Sequence, residues 1–187
     1  VLGGGKRLTD ITGVLVPVMG VLYILVSLIV IFMNIKIFPS VIANIFRDAF
    51  NFKAAFSGFA GSCIMWGIKR GLYSNEAGMG STPHAHALAN VKNPHEQGTV
   101  AIIGVFIDMF VILTLNALVI ISTLYAGDGP LAGCGAAALS STFNKTNLAQ
   151  CAFGTVFGYK AGSMFVAICL FFFAFSTIIG WYFFGQS

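Results

Sequence analysis

Residues 13–33 read GVLVPVMGVLYILVSLIVIFM, 21 positions without a charged side chain. A helix rises about 1.5 Å per residue, so this stretch reaches about 32 Å, enough to cross a bilayer core of about 30 Å. Two more stretches behave alike. Residues 161–185 hold 25 uncharged positions, and residues 98–126 carry one charge, Asp108. The whole chain agrees with them: 57% of its 187 residues are hydrophobic and 9% are charged, where a soluble domain carries about 25% charged residues. That much apolar surface needs lipid as its solvent. The expected fold class is an all-α, polytopic transmembrane helical bundle in one membrane domain. Its clear spans lie at about 13–33, 98–126 and 162–185.

A fourth, weaker span is expected at 54–70. Only 15 uncharged residues separate Lys53 from Lys69, among them Ser57, Gly58, Ala60, Gly61 and Ser62. That is short for a regular span and rich in helix-weakening residues. In secondary transporters such a segment points to a broken helix at the substrate site. Backbone groups freed by the break must face protein, water, an ion or substrate rather than lipid. The other reading is a small-residue face that lets helices pack closely. Between the first two spans, Val41, Ile42, Ile45, Phe46 and Ala49 recur at helical spacing, which predicts a short interfacial helix.

The net charge of +4 comes from ten Lys and Arg against six Asp and Glu. The basic residues stand in ones and twos beside apolar runs. They form no stripe, so they read as span flanks rather than a nucleic-acid face. Lys6, Arg7, Lys69, Arg70 and Lys92 fall on one side of the bilayer, and Lys36, Arg47, Lys53, Lys145 and Lys160 on the other. Five against five leaves orientation undecided by charge. The chain begins at Val1 without a signal-peptide pattern and ends just after an apolar run. It reads as a piece of a longer protein. In the polar loop 127–160, Cys134 and Cys151 form a candidate disulfide if that side is oxidising. Cys63 and Cys169 fall in apolar runs and read as packing residues.

Several side chains are candidates for chemistry. Thr177 and Trp181 are four apart and share one helix face, a hydroxyl beside an indole. Ser176 and Thr177 offer the hard oxygens a sodium ion prefers. Alternatively, both hydroxyls bond carbonyls one turn back and Trp181 anchors at the interface. Asp108 stands about ten residues into its span, where an ionisable group is a functional candidate by default. It can pair with a cation or take a structural partner. Asn116, eight residues on, can bridge helices. Glu76, His84 and His86 offer metal ligands, but His-x-His alone does not make a transition-metal site. Ser74, His84 and Glu76 can be grouped as a nucleophile set, without any elbow or positioned base to support it. Three classes therefore stand: a secondary transporter, an intramembrane enzyme and a structural membrane subunit. No cofactor is expected.

The string Arg70-Gly71-Leu72-Tyr73-Ser74-Asn75-Glu76-Ala77-Gly78-Met79-Gly80-Ser81-Thr82-Pro83 resembles the hallmark of the alanine or glycine:cation symporter family. Gln97-Gly98 and Gly104-Val105-Phe106-Ile107-Asp108 resemble that family's next helix. Pro17-Val18-Met19 with Tyr23 resembles the preceding one, and Ala174-Phe175-Ser176-Thr177-Ile178-Ile179-Gly180-Trp181 a later one. The resemblance covers nearly the whole chain outside 127–160. It implies sodium-driven uptake of alanine or glycine across the cell membrane, not an enzyme. It implies the LeuT-like inverted-repeat fold of the APC superfamily, with the four spans as its fifth to eighth helices. Lys6-Arg7 and the Asn75-Glu76 loop would then be cytoplasmic, and the Cys134/Cys151 loop outside. Carried over, Thr177 and Trp181 line the substrate pocket, where the indole limits substrate size. Ser176 and Thr177 supply sodium oxygens. Gly58, Gly61 and Ser62 expose backbone to the substrate's charged ends, aided by half-helix dipoles. Asn75 and Glu76 lock the cytoplasmic end. Partners are then the amino acid, sodium, lipid and the rest of the same chain, and these residues alone are expected not to transport. Alanine uptake by this segment alone in liposomes would overturn that expectation.

Overall fold

The computed structural model describes residues 4–50, 58–76, 78–87, 89–132, 144 and 147–186. The regular elements among them are all helical. Helix α1 spans Gly4–Met33 and α2 spans Phe38–Ala49. Helix α3 covers Gly58–Ser74 and the short α4 covers Ser81–Ala87. A long rod follows: α5 (Pro94–Phe106), a π-helical stretch π1 (Ile107–Leu113), α6 (Thr114–Ile120) and a second π stretch π2 (Ile121–Tyr125). Helix α7 spans Leu148–Phe157 and α8 spans Tyr159–Gln186.

Among the described residues, three helical stretches are long and apolar enough to cross a membrane. They are Asp10–Met33, Pro94–Tyr125 and Tyr159–Tyr182, with mean hydropathies of 2.9, 2.4 and 2.3. A helix of 24 residues is about 36 Å long, more than a bilayer core needs. Their outward side chains, such as Val14, Leu25, Ile102, Phe110, Phe171 and Ile178, are exposed. Exposed apolar faces on long apolar helices suit lipid, and the chain is an integral membrane helical protein. Asn93 precedes Pro94 at the start of the rod, where a proline's missing N–H costs no helical bond.

The described residues divide into two compact units. One comprises Val1–Ile42 and Ile112–Ile179, the other Ala43–Val111 and Gly180–Ser187. In the first unit α1 packs on α6, and α7 packs on α6 and π2. Tyr23 and Val30 of α1 meet Val119, Leu124, Leu131, Phe153, Val166 and Cys169 in one apolar cluster. Phe153 is fully buried, with its ring centroid 6.0 Å from Tyr23 and 5.3 Å from Phe165. The Tyr23 hydroxyl donates to Asn116 Oδ1 at 2.9 Å, so Asn116 bridges two helices. Helices α7 and α8 are joined through Gly158, whose φ of 84° lies in the left-handed region open to glycine. Just beyond it the two backbones nearly touch. A Cβ on Gly162 would stand 2.5 Å from the Phe153 carbonyl carbon. Cys151 is a buried free thiol in α7, and Cys134 lies outside the described residues.

The weak fourth span is described only in part. Within the described residues α3 runs unbroken from Gly58 to Ser74, through Gly61 and Ser62. Residues 51–57 lie outside the description. Glycine weakens a helix by about 1 kcal/mol at most, which a membrane helix tolerates. The interruption that is described lies further on, between α3 and α4.

Candidate functional site

The second unit builds the site from the end of α3. Glu76, Gly78 and Gly80 take φ values of 52°, 82° and 79°. No α-helix passes through such residues, so α3 stops at Ser74 and the helix resumes only at Ser81. Glycine accepts this geometry freely, whereas Glu76 adopts it at a cost of about 1–2 kcal/mol. Local bonds hold the turn. Asn75 Nδ2 donates to the Gly71 carbonyl at 3.0 Å, and the Asn75 backbone N–H donates to the same oxygen at 3.2 Å. An end-of-helix carbonyl is thereby satisfied. The buried Ser81 hydroxyl donates to Glu76 Oε2, which ties the start of α4 back to the turn.

Next to this turn lies Asp108, the one charged residue of the apolar stretch 98–126. Ser74 Oγ donates to Asp108 Oδ2 at 3.0 Å. Gly71, one turn earlier, faces Met109, whose Cε would lie 3.8 Å from an added Cβ. The end of α3 thus rests on the first turn of π1. In the Pro94–Tyr125 rod, Asp108 is about 21 Å from one end and about 26 Å from the other. The interruption therefore abuts the middle of a membrane-length helix, not its end. π-helical turns are rare and concentrate at functional sites.

The end of α3 carries several acceptor atoms. Among the described residues Asp108 pairs with no Lys or Arg, and Ser74 engages its Oδ2. Arg70, one turn before Ser74, is exposed. Asn75 Oδ1 is enclosed and receives no hydrogen bond. A carboxylate, a hydroxyl and an unsatisfied amide oxygen are hard acceptors of the kind an alkali cation prefers.

On α8, Ser176 and Thr177 both donate to the Phe173 carbonyl, at 2.9 and 2.8 Å. Both hydroxyls thus bond one turn back. A hydroxyl that donates its proton still has acceptor capacity on its oxygen. Thr177 is exposed, Ser176 half-buried, and the Trp181 indole 53% exposed. Gly58 opens α3, Gly61 is exposed within it and Ser62 is half-buried. The other groupings come apart. Gln97 Nε2 lies 2.7 Å from His86 Nδ1, and Glu76 is taken by Ser81. Ser74 serves Asp108 rather than His84. Among the described residues no three His, Cys, Asp or Glu stand together as metal ligands.

Sequence reading missed the pairing of Ser74 with Asp108. Each residue was visible alone, but a contact across 34 positions leaves no local pattern. The Ser81–Glu76 tie was likewise unseen, although Gly78 and Gly80 mark the turn it closes.

Apolar helices of membrane length define a polytopic helical membrane protein. The chain belongs to the sodium:alanine symporter family, whose model matches residues 1–187. It is 39% identical over 188 residues to the sodium/alanine symporter AgcS of Methanococcus maripaludis, covering 100% of this chain and 39% of that protein. It is 41% identical over 192 residues to the putative sodium/proton-dependent alanine carrier YrbD of Bacillus subtilis, covering 100% and 39%. It is 36% identical over 187 residues to the probable sodium/glutamine symporter GlnT of Bacillus subtilis, covering 100% and 36%. The chain therefore spans about two fifths of the length of these relatives. The family and these relatives are transporters, not enzymes.

Proposed function

We propose that this chain is a section of a multi-pass cell-membrane symporter that moves a small neutral amino acid, alanine or glycine, with sodium. Its helices belong to a LeuT-like inverted-repeat fold, with α1, α3–α4, the long rod and α8 as the fifth to eighth helices. The broken helix is then α3, the turn and α4. The observation that carries the reading is the interruption held against Asp108 in the middle of the rod. Backbone groups freed at membrane depth need a polar guest. Family membership supports sodium as the coupling ion and alanine as substrate, and relatives named for glutamine leave side-chain size to be set locally.

In this reading Ser74, Asn75 Oδ1 and Asp108 attract the cation, and the turn at Glu76, Gly78 and Gly80 presents backbone to the substrate's charged ends. Gly58, Gly61 and Ser62 at the start of α3 share the role of exposing backbone to those charged ends. Asn75 and Glu76 shape the turn and lock this end of α3. Separately, Ser176 and Thr177 offer sodium oxygens on α8, and Trp181 limits side-chain size. The rest of the chain completes both sites.

The test is uptake of labelled alanine by the full-length transporter in proteoliposomes under an inward sodium gradient. Uptake that collapses when sodium is replaced by choline, and falls at least tenfold in Thr177→Ala or Trp181→Ala, is expected. Sodium-independent uptake, or none by well-folded protein, would overturn the reading.

A further inference from the structure

We propose that Tyr23 is a positioning residue for α8: through Phe173 it sets where Ser176 and Thr177 hold their oxygens, without touching the ion itself. The inference rests on the reading of those two hydroxyls as sodium ligands. Both donate to one acceptor, the Phe173 carbonyl, at 2.9 and 2.8 Å. Each oxygen keeps acceptor capacity while it is tied there. Whatever fixes Phe173 therefore fixes both oxygens together. Phe173 in turn rests on Tyr23 of α1. The two rings meet edge-on, with centroids 6.5 Å apart and planes at 81°, a geometry that aromatic pairs favour. The same tyrosine ring lies 6.0 Å from Phe153 of α7. Val166 and Cys169, about two turns and one turn before Phe173 on α8, belong to the same buried cluster.

Packing alone would be served by phenylalanine at position 23, as it is at the neighbouring positions 153, 165 and 173. The hydroxyl adds something a phenyl ring lacks. It donates to Asn116 Oδ1 of α6 at 2.9 Å, across 93 positions of sequence. Tyr23 is buried, and so are Ser27 and Val30 further along α1 and Val119 about one turn beyond Asn116. Little water reaches this bond to compete with it, and an enclosed hydrogen bond is electrostatically stronger than one in water. A phenyl ring in this place can tilt within its apolar pocket. A ring pinned at its tip cannot, so its edge stays against Phe173. One side chain thus ties α1 to α6 through its hydroxyl, and to α7 and α8 through its ring. The position of the α8 oxygens then depends on a bond made two helices away.

The test is a double-mutant cycle in the full-length transporter, read by labelled-sodium binding at saturating alanine and by sodium-driven alanine uptake. Tyr23→Phe keeps the ring and removes the hydroxyl. It is expected to raise the half-saturating sodium concentration about fivefold, the scale of one lost hydrogen bond. Asn116→Leu, which removes the acceptor, is expected to do the same. In a Thr177→Val background, Tyr23→Phe should add less than about twofold, because the oxygen it positions is already gone. A merely structural tyrosine would weaken sodium binding by the same factor in both backgrounds. That additive result would overturn the inference, as would unchanged sodium dependence in Tyr23→Phe or in Asn116→Leu. Should Tyr23→Phe not fold, the same cycle run with Asn116→Leu and Thr177→Val decides. If Thr177→Val itself leaves sodium dependence unchanged, the sodium role of α8 falls, and this inference falls with it.

Discussion

Replacing Gly162 by alanine should loosen the joint between α7 and α8. The added Cβ would stand 2.5 Å from the Phe153 carbonyl carbon, where neither side can swing away because both are backbone. The helices must separate, and the Phe153–Phe165 contact at 5.3 Å and the Val166 and Cys169 packing separate with them. Overpacking of this kind costs about 1–3 kcal/mol. Alanine's better helix propensity returns up to about 1 kcal/mol. The net loss should be about 1–2 kcal/mol, a factor of roughly 5–30 in the folded ratio. Gly154→Ala makes a graded control, because its Cβ would meet Tyr159 Cα at 3.3 Å and needs a shift of only a few tenths of an ångström. The assay is thermal unfolding of the full-length protein in detergent, with maleimide labelling of the buried Cys151 as a local probe. Gly162→Ala should melt lower and label faster than both wild type and Gly154→Ala. Equal melting with unchanged labelling would refute the close crossing.

Other outcomes follow from the same geometry. Glu76→Gly should relieve about 1 kcal/mol of left-handed strain and keep or raise the melting temperature. It should nonetheless lower uptake several-fold, because Ser81 loses its acceptor, whereas Glu76→Gln keeps one and keeps most activity. Thr177→Val should raise the sodium concentration for half-maximal uptake about tenfold by removing the oxygen, an effect on the order of 1.4 kcal/mol. Thr177→Ser should retain it. Trp181→Ala should let larger neutral amino acids such as leucine compete with alanine in uptake. Burial pushes the Cys151 thiol above its ordinary value of 9.0. The folded state then holds that proton more tightly than the unfolded one. Stability conferred by the neutral thiol is present below pH 9 and declines above it, and Cys151→Ala should flatten that decline in a pH series of melting curves.

The long helices were legible because lipid selects on sum and length. Twenty-one uncharged residues can do little else, and α1 contains all of 13–33. The interruption was harder for a physical reason. Composition marks Gly58 and Gly61 as helix weakeners, and residues 51–57 before them lie outside the description. What ends α3 is the sign of φ at Glu76, Gly78 and Gly80, which composition does not encode. The same polar string reads as a loop, which the family resemblance places on the cytoplasmic side. Its contact with Asp108 joins residues 34 apart, and only the packed structure reveals it. The π turns at Ile107–Leu113 and Ile121–Tyr125 were equally silent, since an apolar run reads the same through either helical pitch. On α8, spacing placed Thr177 and Trp181 four apart, while the shared acceptor of Ser176 and Thr177, the Phe173 carbonyl, emerged from the structure.

The central claim is that the turn between α3 and α4 lies at a ligand site in the membrane and not in a cytoplasmic loop. Met79 in that turn is 54% exposed, so a cysteine there is open to reagent. The direct measurement is the labelling rate of Met79→Cys in the full-length transporter, with other reactive thiols replaced, using a membrane-impermeant thiol reagent. Sodium alone should slow labelling, and sodium with alanine should slow it at least threefold further. Fast labelling from the cytoplasmic side, unchanged by sodium and alanine, would contradict the account.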